Sequence, residues 1–307
     1  MSDIGIVIVN YNTREDLGRC LDSIAQSLEP PARRVIVVDN CSTDGSQDLV
    51  RSAYPWAELI VSARNGGYAY ANNLGLRALG FQSKGPVVDT PRHVLLLNPD
   101  TILPSDALRN CVTLMDGQEN IGVLGPRLVR RDGSLDRACR RSFPTPEVSL
   151  YHMIGLARLF PHSPRFGRYN MTFLDEMVET DVDAVVGAFM LIRSVALEQA
   201  GLLDERFFMY GEDLDLCYRI KERGWRVHYY PAVTVLHVKG TSSRKNAAQA
   251  NAAFYDAMKI FYAKHYRDQY PAPVSWAINA GVALLRARAT VSNALRPSHR
   301  RHVASAK

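Results

Sequence analysis

Four short apolar runs, at residues 4–9, 35–38, 59–63 and 93–97, each stop at a polar turn, and this pattern narrows the fold more than anything else in the chain. The first two are nearly unbroken β-branched stretches, which suits strands buried on both faces. After Asn10-Tyr11-Asn12-Thr13 a helical period begins, with Leu17, Cys20, Leu21 and Ile24 on one stripe of residues 14–26. Asp39-Asn40-Cys41-Ser42-Thr43-Asp44-Gly45-Ser46 and Asn65-Gly66-Gly67-Tyr68 lead into further helices in the same way. Repeated strand–turn–helix units predict an α/β fold with a mostly parallel central sheet flanked by helices. Ligands of such sheets sit beyond the carboxyl ends of the strands. Asp39, Asn65 and Asp100 all fall at such ends, so one site is expected to gather them.

The second half is less regular. Residues 127–183 are rich in Arg, Pro and aromatics and read as irregular, with a hairpin turn at Arg130-Arg131-Asp132-Gly133-Ser134. Strand character returns at 183–193, 226–230 and 233–236, the last ending at His237. Between them, Phe207-Phe208-Met209-Tyr210-Gly211-Glu212-Asp213-Leu214-Asp215-Leu216 sets three carboxylates where a loop becomes a helix. Acids there are favoured by the unpaired N–H groups and the helix dipole. Taken alone, Glu212 and Asp213 read equally as helix caps, Asp39 and Asp44 likewise, and His237 as a core histidine.

At 47% hydrophobic and 22% charged, 307 residues suffice for a large core. No run of eighteen apolar residues suggests a membrane-spanning helix. The N-terminus shows no secretion signal. Five widely spaced cysteines without a Cys-x-x-Cys pair argue against a zinc site or a disulfide framework and fit a reducing cytoplasm. The net charge of +6 is uneven: residues 239–307 hold twelve Lys or Arg against two acids, the remainder 25 against 29. The basic character therefore belongs to the tail, and no nucleic-acid partner is expected. Helical patterns at 247–266 and 276–295 fill that tail, the second with Ile278, Val282, Leu285 and Ala289 on one stripe and Arg286, Arg288, Arg296, Arg300 and Arg301 following. Such a helix suits an anionic membrane surface. The alternative is a basic helix packed on the body or on a second copy in a homodimer.

Asp100, the Glu212–Asp213 pair and His237 supply what sugar transfer from a nucleotide sugar needs: oxygen and nitrogen ligands for a divalent cation beside a diphosphate, and a carboxylate for the acceptor's proton. A dehydrogenase would call for Gly-x-Gly-x-x-Gly after the first strand, and a pyrophosphorylase for a glycine-rich phosphate loop; neither is present. A non-catalytic scaffold would have no use for Asp213.

The motifs Val7-Ile8-Val9-Asn10-Tyr11-Asn12, residues 37–46, Asn65-Gly66-Gly67-Tyr68 through Gly75, Leu96-Leu97-Asn98-Pro99-Asp100-Thr101, Gly187-Ala188-Phe189-Met190, Gly211-Glu212-Asp213-Leu214-Asp215 and His237-Val238-Lys239-Gly240-Thr241-Ser242 occur in one order. In that order the chain resembles glycosyltransferase family 2, of GT-A fold, and especially its rhamnosyltransferase-like branch. The resemblance implies an inverting, metal-dependent transferase using Mg2+ or Mn2+, with Asp213 as catalytic base, Glu212 orienting the acceptor, and Asp100 and His237 as metal ligands. Val9, Tyr11, Asp39, Asn65, Asn73, Asn98 and Asp100 would contact the nucleotide-sugar donor. The usual DxD motif reads Asn98-Pro99-Asp100 here, so one charge is missing and metal affinity would lean on Asp100 and His237. This Asn-Pro-Asp form resembles the rhamnosyltransferase-like branch, which implies dTDP-L-rhamnose as donor, with UDP- or GDP-sugars as alternatives. Arg223-Gly224-Trp225-Arg226 does not match the Gln-x-x-Arg-Trp motif of processive members, which implies single-sugar addition. The expected layout is a catalytic domain at 1–240 followed by a basic helical extension at 241–307. Within the domain, residues 1–101 would bind the nucleotide and residues 102–240 the acceptor. A lipid-linked or glycan acceptor at the inner face of the cell membrane would match the cationic tail.

Overall fold

The apolar runs become neighbouring strands. In the computed structural model, which describes residues 2–28, 31–82, 90–238 and 247–294, β1 (Ile4–Asn10) is buried along its whole length. It pairs in parallel with β2 (Arg33–Asp39) on one side and β4 (His93–Leu97) on the other, and β3 (Glu58–Val61) lies outside β2. The helices α1 (Arg14–Ala25), α2 (Ser46–Ala53) and α3 (Tyr68–Ala78) connect or follow these strands. Leu17, Cys20, Leu21 and Ile24 face the core as their spacing predicts. Each buried aliphatic side chain contributes roughly 1.5–3 kcal/mol, so a strand apolar on both faces gains most at the sheet's centre.

Beyond β4 the sheet changes sense. β8 (Phe189–Arg193) enters antiparallel between β4 and β6 (Ile121–Val129), and β6 pairs in parallel with β9 (Arg226–His237). The outer edge of β9 is shared by β7 (Thr180–Val182) and β5 (Thr101–Ile102), both antiparallel. The order is β3-β2-β1-β4-β8-β6-β9-β5, with β7 on β9. The parallel arrangement read from the sequence thus holds for β3, β2, β1 and β4 and for the β6–β9 pair. The two strand runs at 226–236 form one strand, because Pro231, which has no N–H for a ladder, falls where the register with β6 jumps from Tyr230 to Thr234.

The stretch expected to be irregular is partly built. It opens within β6, where Gly122, Gly125 and Pro126 obscure the strand period, and ends at β7. It includes α5 (Pro146–Met153), capped by the Thr145 hydroxyl, and α6 (Leu156–Leu159). The turn at 130–134 forms as predicted, Arg130 N–H donating to Ser134 O and Val129 bridging Leu135. Helices α4 (Ala107–Gly117), α7 (Ser194–Ala200) and α8 (Glu212–Glu222) complete the body.

The tail does not hang free of that body. α9 (Ala247–His265) contributes Ala257, Phe261 and Tyr262 to the main core, and Tyr266 follows. α10 (Ala272–Ala294) turns the predicted stripe inward: Val282 is buried, Ile278 packs on the core, and Leu285 and Ala289 are half-buried. A different line, Trp276 (75% exposed), Leu284 (71%) and Val291, faces outward with Arg288. Among the described residues no helix is long and apolar enough to cross a membrane. Arg296, Arg300, Arg301 and the 240/241 boundary lie outside the described residues, as does 239–242 of the His237 motif.

Asp215 fastens α9 to α8. Its fully buried carboxylate accepts from Arg219 Nε at 2.8 Å, Lys264 Nζ at 2.7 Å and His265 Nε2 at 2.8 Å. Removing one member of such a cluster strands buried charge at a cost of about 3–5 kcal/mol. Asp215→Ala should therefore lower the stability of the whole chain by that amount in urea unfolding. A loss under about 1 kcal/mol, the range of a surface ion pair, would mean α9 is held by its apolar face alone.

Candidate active site

Strand pairing brings the first two site residues together. β5 runs antiparallel to β9 with Thr101 opposite His237, and Val238 N–H donates to Asp100 O at 2.8 Å. This places His237 Nε2 3.3 Å from Asp100 Oδ1. On the other side of the ring, Nδ1 lies 2.9 Å from Asp136 Oδ2. Asp136 is brought there by the 130–134 hairpin, and its other oxygen caps the turn Arg137–Cys139. Burial opposes the charged imidazole, but the hydrogen bonds to Asp100 and Asp136 outweigh it and push its pKa up to about 9.

This donor set fits a divalent cation. A carboxylate and an imidazole are suitable ligands, and adjacent ligands of an octahedral ion at ~2.1 Å lie ~3.0 Å apart, close to the spacing seen here. A carboxylate on the far nitrogen is the usual partner that orients a ligating histidine. Asp100 and His237 would hold such a cation, with Asp136 keeping the imidazole oriented. Among the described residues no set of three or more Asp, Glu, His or Cys side chains is arranged for a metal. Two protein ligands leave the remaining positions to substrate oxygens, the common arrangement for Mg2+ at phosphates.

The acidic pair stands at the start of α8, after Gly211, whose φ of +82° suits glycine. Both Glu212 and Asp213 are buried. Asp213 Oδ2 accepts from Arg141 Nη2 at 2.5 Å and from Gly187 N–H at 3.2 Å, and its Oδ1 accepts from Leu214 N–H at 2.8 Å. Glu212 differs: its buried Oε2 has no partner among the described residues, and burial, then the charge of Asp213, push its pKa up to about 8. Tyr68 donates to Gly187 O at 2.8 Å and is raised by burial and then by the charges of Glu212, Asp213 and Asp100, so the acids converge electrostatically on one hydroxyl. Gly67 permits this approach, because a Cβ there would collide with Phe208 O, to which Tyr68 N–H donates at 2.7 Å.

At the ends of the first two strands, Asp39 lies beside Asn10 in the β1–β2 register. Its carboxylate accepts from Asn10 Nδ2 at 3.0 Å, Ser42 N–H at 2.9 Å and Gln47 Nε2 at 2.9 Å. Asn65 Oδ1 accepts from Asn40 Nδ2 at 2.9 Å, which ties the second and third turns together. Asn98 receives Thr101 Oγ1 on its carbonyl at 2.7 Å, shaping the Asn-Pro-Asp turn. Tyr11 is partly exposed beyond β1, whereas the Val9 side chain is in the core. Asn73 is placed otherwise than expected. It is 1% exposed, its amide donates to Leu203 O and Glu205 Oε1 at 2.9 Å, and its oxygen accepts from Leu203 N–H at 3.0 Å. Both ends of that amide brace the 203–205 loop. Sequence reading did not single out Asp136 or Arg141, because each acquires its meaning only through a partner about a hundred or seventy residues away.

The profile of the family described as "Glycosyltransferase like family 2" matches residues 2–256. The chain is 31% identical over 305 residues to an N-acetylglucosaminyl-diphospho-decaprenol L-rhamnosyltransferase of Mycobacterium tuberculosis, covering 98% of this chain and 97% of that one. It is 24% identical to the dTDP-rhamnosyl transferase RfbF of Shigella flexneri, covering 80% and 72%. In fold it is similar to the mannosyltransferase PcManGT of Pyrobaculum calidifontis in complex with GDP-Man and Mn2+, with a TM-score of 0.57 and 18% identity over 96% of this chain and 76% of that one.

The Glu212 environment has a measurable consequence. A carboxyl whose folded pKa, about 8, exceeds its ordinary 4.5 adds stability below the lower value and loses it as pH rises through the higher one. Glu212→Gln should therefore gain stability relative to the parent as pH rises from about 4.5 to about 8 in urea unfolding, the difference levelling off above that. Parallel pH profiles for the two proteins would show that Glu212 ionises normally.

Proposed function

The chain belongs to the glycosyltransferase-like family 2, and from that premise we propose that it moves one L-rhamnose from dTDP-rhamnose, with inversion, to a lipid-linked or polysaccharide acceptor in cell-envelope glycan synthesis. The observation that carries the reading is the meeting of Asp100, His237 and Asp136, from three segments distant in sequence, in a chain that also buries the Glu212–Asp213 pair at the start of a helix. The rhamnosyltransferases among its relatives support the sugar, and the name of RfbF supports the nucleotide.

In this reading Asp100 and His237 hold Mg2+ or Mn2+, and Asp136 keeps the imidazole oriented. The bound cation supplies positive charge against the diphosphate leaving group; the PcManGT complex, which contains Mn2+, supports such a requirement. Asp213 takes the proton of the attacking acceptor hydroxyl, and Glu212 orients that hydroxyl. Asp39, Asn65, Asn98 and the backbone at Val9 line the nucleoside end, with Tyr11 at its rim. Because the Asp39 carboxylate already accepts three hydrogen bonds, it fixes the shape of the nucleoside turn as well.

The layout proposed is a catalytic body at 1–240 and a basic helical extension at 241–307, attached peripherally to the cytoplasmic face of the membrane. The outward line Trp276, Leu284 and Val291, with Arg288 beside it, supports attachment to an anionic bilayer.

Two measurements test these points. In thermal-shift assays with Mn2+, dTDP-rhamnose should stabilise the protein more than UDP- or GDP-sugars do, since a ligand that binds only the folded form raises its stability by mass action. A GDP- or UDP-sugar giving the larger shift would overturn the donor. Trp276→Ser combined with Leu284→Ser should release the protein from vesicles containing phosphatidylglycerol without changing its unfolding midpoint. Unaltered co-sedimentation would assign that face another purpose.

A further inference from the structure

We propose that Arg141 is a positioning residue of the transfer reaction: it pins Asp213 by one carboxylate oxygen, so that the other oxygen faces the acceptor hydroxyl. The inference rests on the transferase reading above and deepens it by explaining how two adjacent acids take different roles.

Arg141 is itself rigidly held. Its N–H donates to Ala184 O at 2.9 Å, and its carbonyl accepts from Ala184 N–H at 3.0 Å and Asp183 N–H at 3.1 Å. From this bridge the guanidinium reaches Asp213 Oδ2 at 2.5 Å and Val185 O at 3.0 Å through Nη2. The same carboxylate oxygen accepts from Gly187 N–H, three residues beyond Ala184, so one short segment supplies the anchor for the cation and the second donor. Arg141 and Asp213 are both buried. With Oδ2 holding two donors, Oδ1 carries only the Leu214 N–H and keeps a lone pair for an acceptor hydroxyl.

Two neighbouring carboxylates in a buried site do not both ionise readily without a counter-charge. Arg141 provides that charge to Asp213, while Glu212, buried with an unpartnered oxygen, is the member pushed towards its neutral form. Pairs whose environments separate their protonation states divide acid and base roles in this way. A neutral Glu212 donates a hydrogen bond to the acceptor oxygen, and charged Asp213 receives the proton. Among the described residues the other titratable groups acting on the pair are Asp215 and Cys217 on α8 and Tyr68 on α3, while Tyr169, from the segment after α6, acts on Arg141. None of them is a cation.

The test compares the full-length parent with Arg141→Gln and Arg141→Lys. In Arg141→Gln the acidic limb of the kcat/KM–pH profile should move up by roughly 1–3 units, and kcat should fall roughly 10²-fold. The stabilisation given by dTDP-rhamnose should stay at the parental level, since Arg141 does not touch the nucleoside end. Carbon-13 NMR of labelled aspartate carboxyls, with Asp213→Asn to assign the signal, reads the same shift without turnover. A merely structural arginine would lower activity equally at all pH values and leave the Asp213 titration in place, and that outcome overturns the proposal. Arg141→Lys keeps a point charge but loses the planar fork. It should hold the titration near the parental position while lowering kcat, and parental kcat in this variant also overturns the positioning role. If no nucleotide sugar stabilises or is consumed by the parent, the transferase reading fails; the carboxyl titration still decides whether Arg141 sets the charge of Asp213.

Discussion

The antiparallel pairing of β5 with β9 is the contact on which the site depends. It involves only Thr101–His237 and Ile102–Leu236, yet it closes a loop of more than a hundred residues. Without it, the carboxylate after the fourth strand and the histidine at the end of the ninth would have no reason to meet. Hydrogen bonds along a strand edge are individually modest, of order 1 kcal/mol. The pairing persists because β9 is locked along its other edge by a long parallel ladder with β6. A two-residue strand thereby acquires the precision of a nine-stranded sheet.

Charge burial organises the rest. His237 lies between Asp100 and Asp136, Asp213 against Arg141, and Asp215 among Arg219, Lys264 and His265. Each of these carboxylates has a cationic or protonatable partner, as burial demands. Glu212 is the exception, since its Oε2 meets no partner among the described residues. Polar groups in that condition are uncommon in folded chains and cluster where function requires them. The contrast within a single helical turn, between a pinned acid and an unpartnered one, is therefore informative about the site's chemistry.

Much of this was legible in the sequence. The parallel half of the sheet followed from β-branched runs and polar turns, because strands buried on both faces leave an unmistakable apolar signature. The positions of Asp39, Asn65 and Asp100 followed from the rule that turns at strand ends collect ligands. β6 was hidden by its glycines and proline, and β5 by its length. Arg141 and Asp136 were invisible because nothing local distinguishes a buried charge that finds a partner from a solvated one. Asn73 misled for the converse reason: it sits within a motif, yet its amide is committed to Leu203 and Glu205. The inward stripe of α10 was correctly apolar and wrongly aimed, since a helix pattern reveals a sticky face without revealing what covers it.

The contact between Gly67 and Phe208 has a mechanical meaning. The turn that leads into α3 carries Asn65, and the 207–210 loop leads into the helix bearing the acidic pair. Backbone touches backbone there with no side chain between, and Tyr68 N–H bonds across the seam. The two segments are thus joined at this point, so any movement of one must carry the other along with it.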